Sequence, residues 1–406
     1  MANETVSNFI TLPVELVYRI LDHQSNFTIV CSMRNTFSTL DFAYNEIQEV
    51  EAQQLAGALR HNTTLTTLYL QHNQIGYVGA QYFGDALRYN TTLTSLHLWG
   101  NEIGDIGAQH LADGLRYNSA LTTLNLQKNQ IGDVGAERLG DALQHNTTLI
   151  ILDLSENQIG HIGAQPLSNA LRQNTSLTTL HLQYNQIGHV GAQYIGDTLK
   201  YNTTLTTLHL WGNKIGDVGA EHLADGLRHN TTLTTLHLGE NQIGYIGAQH
   251  LGDTLKHNTT LTSLHLWGNE IGDIGVQYFD DGLRQNKTLI TLNLQHNQIR
   301  DIGAQHLADA LQHNTTLATL NLLGNQIGDV GGQYLGNALQ HNTTLTSLNL
   351  WGNQIGNVGA QYLTEGLQHN TTLNRFNVLE NEIEDDALLE INELIERNGR
   401  AESYNF

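Results

Sequence analysis

The chain has 406 residues and a formal net charge of −21 at pH 7, which argues against nucleic acid or an acidic membrane surface as its main partner. No apolar run approaches the roughly 18 residues of a membrane span. The start of the chain lacks a basic stretch followed by an apolar core, so no secretory signal is expected. The single cysteine, Cys31, excludes an internal disulfide framework and fits a reducing compartment. We therefore expect a cytoplasmic protein, with the nucleus as a second location.

The first predicted element is a helix at residues 12–21, LPVELVYRIL. Its proline stands at a helix start, where the missing N–H costs nothing. Together with IVCSMRNTF at residues 29–37, this stretch resembles the F-box, a helical module that docks on the Skp adaptor of cullin-based ubiquitin ligases. The resemblance implies that the adaptor-docking residues are Leu12, Pro13, Leu16, Ile20 and Leu21.

Residues 1–36 have a second interpretation, as a plain N-terminal cap. His23 and Gln24 stand where an F-box usually continues with an apolar residue, and the repeats begin near Phe37, which leaves little length for the module. A cap of this kind would only cover the leucines that a repeat array exposes at its end.

Beyond this segment, asparagine recurs at one constant interval, without insertion or deletion. The marker residues are Asn45, Asn73, Asn101, Asn129, Asn157, Asn185, Asn213, Asn241, Asn269, Asn297, Asn325, Asn353 and Asn381. Around most of them runs the pattern LxxLxLxxNxI, as in LTTLHLWGNKI at residues 205–215. Units in such strict register predict one repeat architecture instead of several separate domains.

Each unit begins with a predicted strand. Leu208 and Leu210 alternate with the polar residues Thr207 and His209, which is the period of a half-buried strand. Asn213 then turns the chain, and its side-chain amide is expected to bond backbone groups of the neighbouring unit. Stacked in line, such asparagines form a ladder that satisfies buried polar groups.

A helix is predicted after the marker asparagine, in IGDVGAEHLADGLRHN at residues 215–230. We expect Asp217 to cap this helix at its N-terminus and Asn230 to end it in the left-handed conformation. The apolar stripe of the helix consists of Ala220, Leu223 and Leu227.

The pattern resembles the leucine-rich repeat. A strand plus a full helix in a unit of about 28 residues resembles its ribonuclease-inhibitor-like subclass, found also in NOD-like receptors and Ran GTPase-activating proteins. The resemblance implies an α/β solenoid of about thirteen repeats, a horseshoe with parallel strands on the concave face and helices on the convex face. The solenoid is expected to span residues 37–383. Residues 384–406 are predicted to form a capping helix and tail, with Leu388, Ile391 and Ile395 on its apolar side.

Residues that flank the strand leucines are expected on the concave face, where solenoids usually bind their partners. All four tryptophans of the chain fall in one column of this face. We predict that a protein partner is bound by Trp99, Trp211, Trp267, Trp351, His97, His209, His265, Tyr69 and Tyr184. Tryptophan is enriched among the residues that dominate binding energy.

Strands about 4.8 Å apart would place Trp99 and Trp211 about 19 Å apart and Trp211 and Trp267 about 10 Å apart. Such spacing favours several anchors on one partner over a small-molecule pocket. In a second interpretation each tryptophan only packs flat over adjacent strands. The glycine after each tryptophan, such as Gly212, would then leave room for it.

Four histidines follow one another in the column between the leucines: His181, His209, His237 and His265. They lack a recurring carboxylate or cysteine at metal-site spacing, so no metal and no cofactor is expected. Their stacking predicts sensitivity to pH, because protonation would place like charges side by side. No phosphate loop or nucleophile–histidine–acid set stands out, which favours a protein that is not an enzyme.

These features together predict a monomeric recognition scaffold that binds a protein on its concave face. The F-box resemblance implies that it delivers this partner to a ubiquitin ligase. The alternatives are a GTPase activator, by resemblance to Ran GTPase-activating proteins, and a sensor fragment of the NOD-like-receptor type.

Overall fold

The structure is a computed structural model that describes residues 37–403, so the predicted adaptor-docking residues and Cys31 lie outside the described residues. Within this range thirteen short strands alternate with thirteen helices. The strands are β1 Thr39–Asp41, β2 Thr67–Tyr69, β3 Ser95–His97, β4 Thr123–Asn125, β5 Ile151–Asp153, β6 Thr179–His181, β7 Thr207–His209, β8 Thr235–His237, β9 Ser263–His265, β10 Thr291–Asn293, β11 Thr319–Asn321, β12 Ser347–Asn349 and β13 Arg375–Asn377. The helices are α1 Glu49–Leu59, α2 Gly76–Leu87, α3 Gly104–Leu115, α4 Asp133–Leu143, α5 His161–Leu171, α6 Gly188–Leu199, α7 Gly216–His229, α8 Tyr245–Leu255, α9 Gly272–Gln285, α10 Asp301–Leu311, α11 Asp329–Leu339, α12 Asn357–His369 and α13 Asp385–Ser403.

The thirteen strands of the described range form one parallel sheet in chain order. Every strand pairs with the next at the same offset, so that Leu180 lies beside Leu208 and Leu208 beside Leu236. Successive helices pack against one another alongside the sheet. The predicted fold class, an α/β leucine-rich solenoid with parallel strands, is confirmed. Its constant register stacks equivalent residues into columns.

Leucines at three positions of each repeat form the core, together with the isoleucine that follows the marker asparagine. In the repeat of β7 they are Leu205, Leu208, Leu210 and Ile215, all at most 1% exposed. The predicted helix stripe of Ala220, Leu223 and Leu227 is also buried. A buried side chain of this size contributes about 1.5–3 kcal/mol relative to an exposed one, and here it is buried only against its own and adjacent repeats, so stability is distributed along the stack.

The predicted asparagine ladder is present. Asn213 is fully buried, and its Nδ2 donates to the carbonyl oxygens of Leu182 (2.8 Å) and Leu210 (3.0 Å). Its Oδ1 accepts from the backbone N–H of Ile187 at 3.3 Å. Because Leu182 and Ile187 belong to the preceding repeat, Asn213 ties two repeats together, and the marker asparagines from Asn73 to Asn381 do the same.

A second ladder runs along the helix ends, and it corrects the prediction for Asn230. This residue has φ −73° and ψ 137°, which is extended and not left-handed. Its Nδ2 donates to the carbonyl oxygen of Leu199, the last residue of α6, at 2.8 Å, while its Oδ1 accepts from the N–H groups of Thr232 and Leu233. Helices end with unpaired carbonyls. Here a side chain from the next repeat satisfies one of them, so no left-handed cap is needed.

Asp217 also bonds across a repeat boundary, and the prediction that it caps its own helix is wrong. Its Oδ1 accepts from the backbone N–H groups of Gly244 (2.7 Å) and Gly247 (2.8 Å) at the start of α8. The parallel stacking of the helices places the carboxylate of one first turn beside the N-terminus of the next helix. That N-terminus carries unpaired N–H groups and partial positive charge.

The residue type at the position of Asp217 in each repeat correlates with the backbone conformation at the start of the next helix. After an aspartate, as at Asp217, the residue before the next helix is extended, with φ −94° at Gly244. Where tyrosine, histidine or glutamate replaces the aspartate, the following helix begins with a left-handed glycine at φ between 58° and 63°. These glycines are Gly76, Gly104, Gly188, Gly216 and Gly272.

Helix α13 follows the last strand and packs on the final repeat. Ile391 is buried, and Leu388 and Ile395 lie partly buried against the core. Arg397 Nη2 donates to the carbonyl oxygens of Leu367 (2.9 Å) and Asn370 (2.7 Å), which terminates the second ladder. No helix in residues 37–403 combines the length and apolarity needed to cross a bilayer.

We expect Asp217→Ala to lower the free energy of unfolding by about 0.5–2 kcal/mol, the usual cost of losing a helix cap. Asp217→Asn is the matched control, because Asn357 already bonds the N–H of Glu384 at 2.8 Å in the equivalent place. Urea unfolding of both variants checks the effect. Equal losses in the two variants would contradict the proposed role of the acceptor oxygen.

Candidate protein-binding surface

The predicted site residues share one surface, which we call the exposed sheet face. It comprises the residues on either side of the central buried leucine of each strand and the two residues before each marker asparagine. Because side chains alternate along a strand, these residues point away from the leucine core. Those predicted to bind a partner all lie on this face: Trp99, Trp211, Trp267, Trp351, His97, His209, His265, Tyr69 and Tyr184.

Stacked histidines occupy the middle of the face. The ring centroids of His181 and His209 are 4.4 Å apart, those of His209 and His237 4.1 Å, and those of His237 and His265 4.0 Å. The rings of the last pair are nearly parallel, with an angle of 5° between their planes. The strand register therefore produces the stacking that the sequence predicts. Tyr69 and His97 stack in the same column at 4.6 Å.

The histidine stack favours neutral rings. Burial and the charges of neighbouring histidines lower the pKa of His209 to about 4 and that of His237 to about 3. Burial also lowers the pKa of His181, against the opposing effect of the Asp153 carboxylate, and the pKa of His265. At neutral pH the column is thus an uncharged, partly buried surface of ring faces.

Two tryptophans lie much closer together than the strand spacing predicts. The ring centroids of Trp211 and Trp267 are 5.5 Å apart, whereas strand spacing alone gives about 10 Å. The indole of Trp267 lies over Gly239, where an added Cβ would collide with it. The distance of about 10 Å separates the backbones of the two strands. The side chains of Trp211 and Trp267 lean towards each other above Gly239 of the intervening strand, which brings their rings closer than their backbones. The two tryptophans therefore form one contact surface and not two separate anchors.

The residue before each marker asparagine is left-handed in every described repeat, with φ between 50° and 69°. Glycine occupies this position after each tryptophan, and at Gly212 it makes room for Tyr184 of the preceding repeat and not for the tryptophan beside it. Tyr184 packs edge-on against Trp211 with centroids 4.3 Å apart. The predicted reason for the glycine is therefore corrected.

Glu240 and His72 stand in the same column as Tyr184 and were not predicted as site residues. Tyr184 Oη donates to Glu240 Oε2 at 3.1 Å, and burial followed by this carboxylate raises the pKa of Tyr184. His72 packs against Trp99 at 4.4 Å. The sequence signal for these residues is that the position before the marker asparagine holds a large side chain in some repeats and glycine in others.

We call Tyr184, Trp211, Trp267 and Glu240 the aromatic cluster. Trp351 lies apart from it and is 37% exposed. Among residues 37–403, no three histidine, cysteine, aspartate or glutamate side chains are grouped so as to hold a metal ion.

The fold and this face define a repeat solenoid that displays an open parallel sheet. A family model described as Leucine Rich repeat matches more than half of the chain, and the chain belongs to the leucine-rich repeat family. The matched segments are residues 61–84, 89–112, 117–140, 145–168, 173–196, 201–224, 229–252, 257–279, 285–308, 313–336 and 341–363. Membership of this family supports a role as a protein-binding scaffold.

A solved structure gives the same fold. An internalin from Listeria monocytogenes is similar at 21% sequence identity with a TM-score of 0.51, covering 89% of this chain and 93% of that one. Leiomodin-1 actin-binding site 2 is also similar, at 22% identity and a TM-score of 0.35, covering 39% of this chain and 92% of that one. Comparison with curated protein sequences finds no match.

We expect the histidine stack to destabilise the protein in mild acid. The folded-state pKa values of His209 and His237 lie below the ordinary value of 6.5. The unfolded chain therefore takes up protons first as pH falls, and stability present above pH 6.5 is lost towards pH 3–4. After allowing for partial solvent exposure, the two rings should cost about 1–2 kcal/mol at pH 5.

The matched variant is His209→Asn with His237→Asn, since asparagine occupies this column at Asn293, Asn321 and Asn349. Urea unfolding at pH 7.5 and pH 5 should show a smaller acid loss in the variant than in the unsubstituted protein. The same loss in both proteins would contradict the assignment.

Proposed function

We propose that the protein is a non-enzymatic recognition scaffold that binds a protein partner on the exposed sheet face. The observation that carries the proposal is the display of contacting tyrosine, tryptophan and histidine rings over the adjacent repeats of β6 to β9, with few charges among them. Interface cores are depleted in charge and enriched in aromatic residues. The charges on this face are few, Asp153 and Glu240 among them, while many others lie on helices, such as Asp113.

The arrangement of the rings also favours binding. Tyr184 is held by Trp211 and by its hydrogen bond to Glu240, and Trp267 is held over Gly239. Side chains that are already ordered lose less conformational entropy when a partner docks. Tryptophan and tyrosine are also the residues most often found to dominate interface energy. The aromatic cluster is therefore the proposed centre of the interface.

The experiment compares affinity purification with the full chain and with Trp211→Ala plus Trp267→Ala. Truncation of an interface hot spot costs about 2 kcal/mol or more, so the true partner should bind at least roughly 30-fold more weakly. Ile106→Ala plus Ile274→Ala is the control, because both isoleucines are 57% exposed on helices. An identical set of partners from both variants would contradict the proposal.

Finer features of the proposal rest on the sequence. The lengths of helices α1 to α12, 11 to 14 residues, support the ribonuclease-inhibitor-like subclass. We also propose that the protein is a monomer and acts in the cytoplasm.

The F-box resemblance supports delivery of the bound partner to a ubiquitin ligase through a Skp-type adaptor. Pull-down of the adaptor by the full chain should be lost with Leu12→Ala plus Pro13→Ala. Absence of binding by the unsubstituted chain would end this part of the proposal and leave the scaffold.

A further inference from the structure

The aromatic cluster combines ring faces with an unpaired carboxylate. The rings of Trp211 and Trp267 are tilted by 51°, and those of Tyr184 and Trp211 by 67°, so the three rings present faces and edges in different directions. Glu240 is exposed, and its carboxylate accepts a hydrogen bond from the neutral hydroxyl of Tyr184. None of the ion pairs among residues 37–403 involves Glu240. Negative charge and π faces thus meet at one place.

A second carboxylate adds to the negative potential. Burial raises the pKa of Tyr184 most, the hydrogen-bonded Glu240 carboxylate raises it further, and the negative charge of Glu156 adds to the same effect. Glu156 accepts a hydrogen bond from Gln127 Nε2 at 2.6 Å, which is also a neutral donor. The positive residues nearest in sequence are Lys128, on this face one repeat before Glu156, and Lys214, which directly follows the marker asparagine Asn213. The chain as a whole is also acidic, with a net charge of −21.

We propose that the aromatic cluster binds an arginine side chain of the partner. The guanidinium group of this arginine packs on the tryptophan and tyrosine rings and donates hydrogen bonds to the Glu240 carboxylate. This inference rests on the proposed function and specifies the partner as a protein with a basic segment. A cation over an aromatic face is attracted by the ring quadrupole, and the planar guanidinium matches both a ring face and a carboxylate. An acidic surface further favours encounter with a basic partner.

Contacts between an arginine guanidinium and a tyrosine ring also occur within the chain itself. Arginine guanidinium carbons lie 4.0–4.4 Å from tyrosine ring centroids just beyond the C-terminal ends of three pairs of adjacent helices. The pairs are Arg60 with Tyr89, Arg88 with Tyr117, and Arg172 with Tyr201. Among residues 37–403 no arginine or lysine makes such a contact with the aromatic cluster, and we assign this contact to a residue of another chain.

Nuclear magnetic resonance of the indole N–H groups tests the proposal on the full chain. The four tryptophans give four signals, which Trp→Phe variants assign. N-acetylarginine methylamide is the probe, and N-acetylcitrulline methylamide is its neutral analogue of the same shape. We expect the arginine probe to shift the Trp211 and Trp267 signals saturably, with an apparent Kd on the order of 1–10 mM, while Trp351 does not move.

Glu240→Gln removes the charge but keeps an acceptor for Tyr184, and should weaken probe binding roughly fivefold because the hydrogen bond loses its charge assistance. Glu380→Gln is the control, since Glu380 occupies the same position in the last repeat and should have no effect. Equal shifts with the citrulline probe, or unchanged binding by Glu240→Gln, would overturn the proposal. If the arginine probe fails while the double tryptophan variant still loses its partner, the scaffold function stands and only the arginine assignment falls.

Discussion

The structure depends on the side-chain amide of the marker asparagine. In Asn213 this amide is buried and bonds backbone groups on both sides of a repeat boundary, Leu182 and Ile187 before it and Leu210 within it. A buried polar group left without such partners would cost about 1–3 kcal/mol. A slip of one residue between two strands would break these bonds and turn the leucines outward. The ladder therefore fixes the register that the rest of the fold and the exposed sheet face require.

A fixed register separates folding from recognition. Leucine, asparagine and a left-handed residue meet the needs of the fold in each repeat, and the residues beside the leucines vary without disturbing them. Columns of the same residue type then build surfaces that one repeat cannot form, such as the stack from His181 to His265. The aromatic cluster likewise draws Tyr184, Trp211, Glu240 and Trp267 from four successive repeats.

The sequence predicts what depends on periodicity within one repeat. Strand alternation and the leucine core followed from Leu208 and Leu210, and the ladder from Asn213. The bonds of Asp217 and Asn230 were wrongly assigned because local capping rules consider one helix, whereas their partners lie 27 to 31 residues away. Strand spacing also could not give the approach of Trp211 to Trp267, since a missing side chain at Gly239 permits it.

Hydrogen–deuterium exchange of Asn213→Ala and Asn45→Ala tests the role of the ladder most directly. Asn213 is fully buried within the stack, whereas Asn45 is exposed in the first described repeat. The account predicts that Asn213→Ala loses about 1–3 kcal/mol and that backbone amides in the repeats of β6 and β7, Ile187 above all, exchange at least about tenfold faster. Asn45→Ala should change exchange little. Exchange within about twofold of the unsubstituted protein in both variants would contradict the claim that the ladder sets the register.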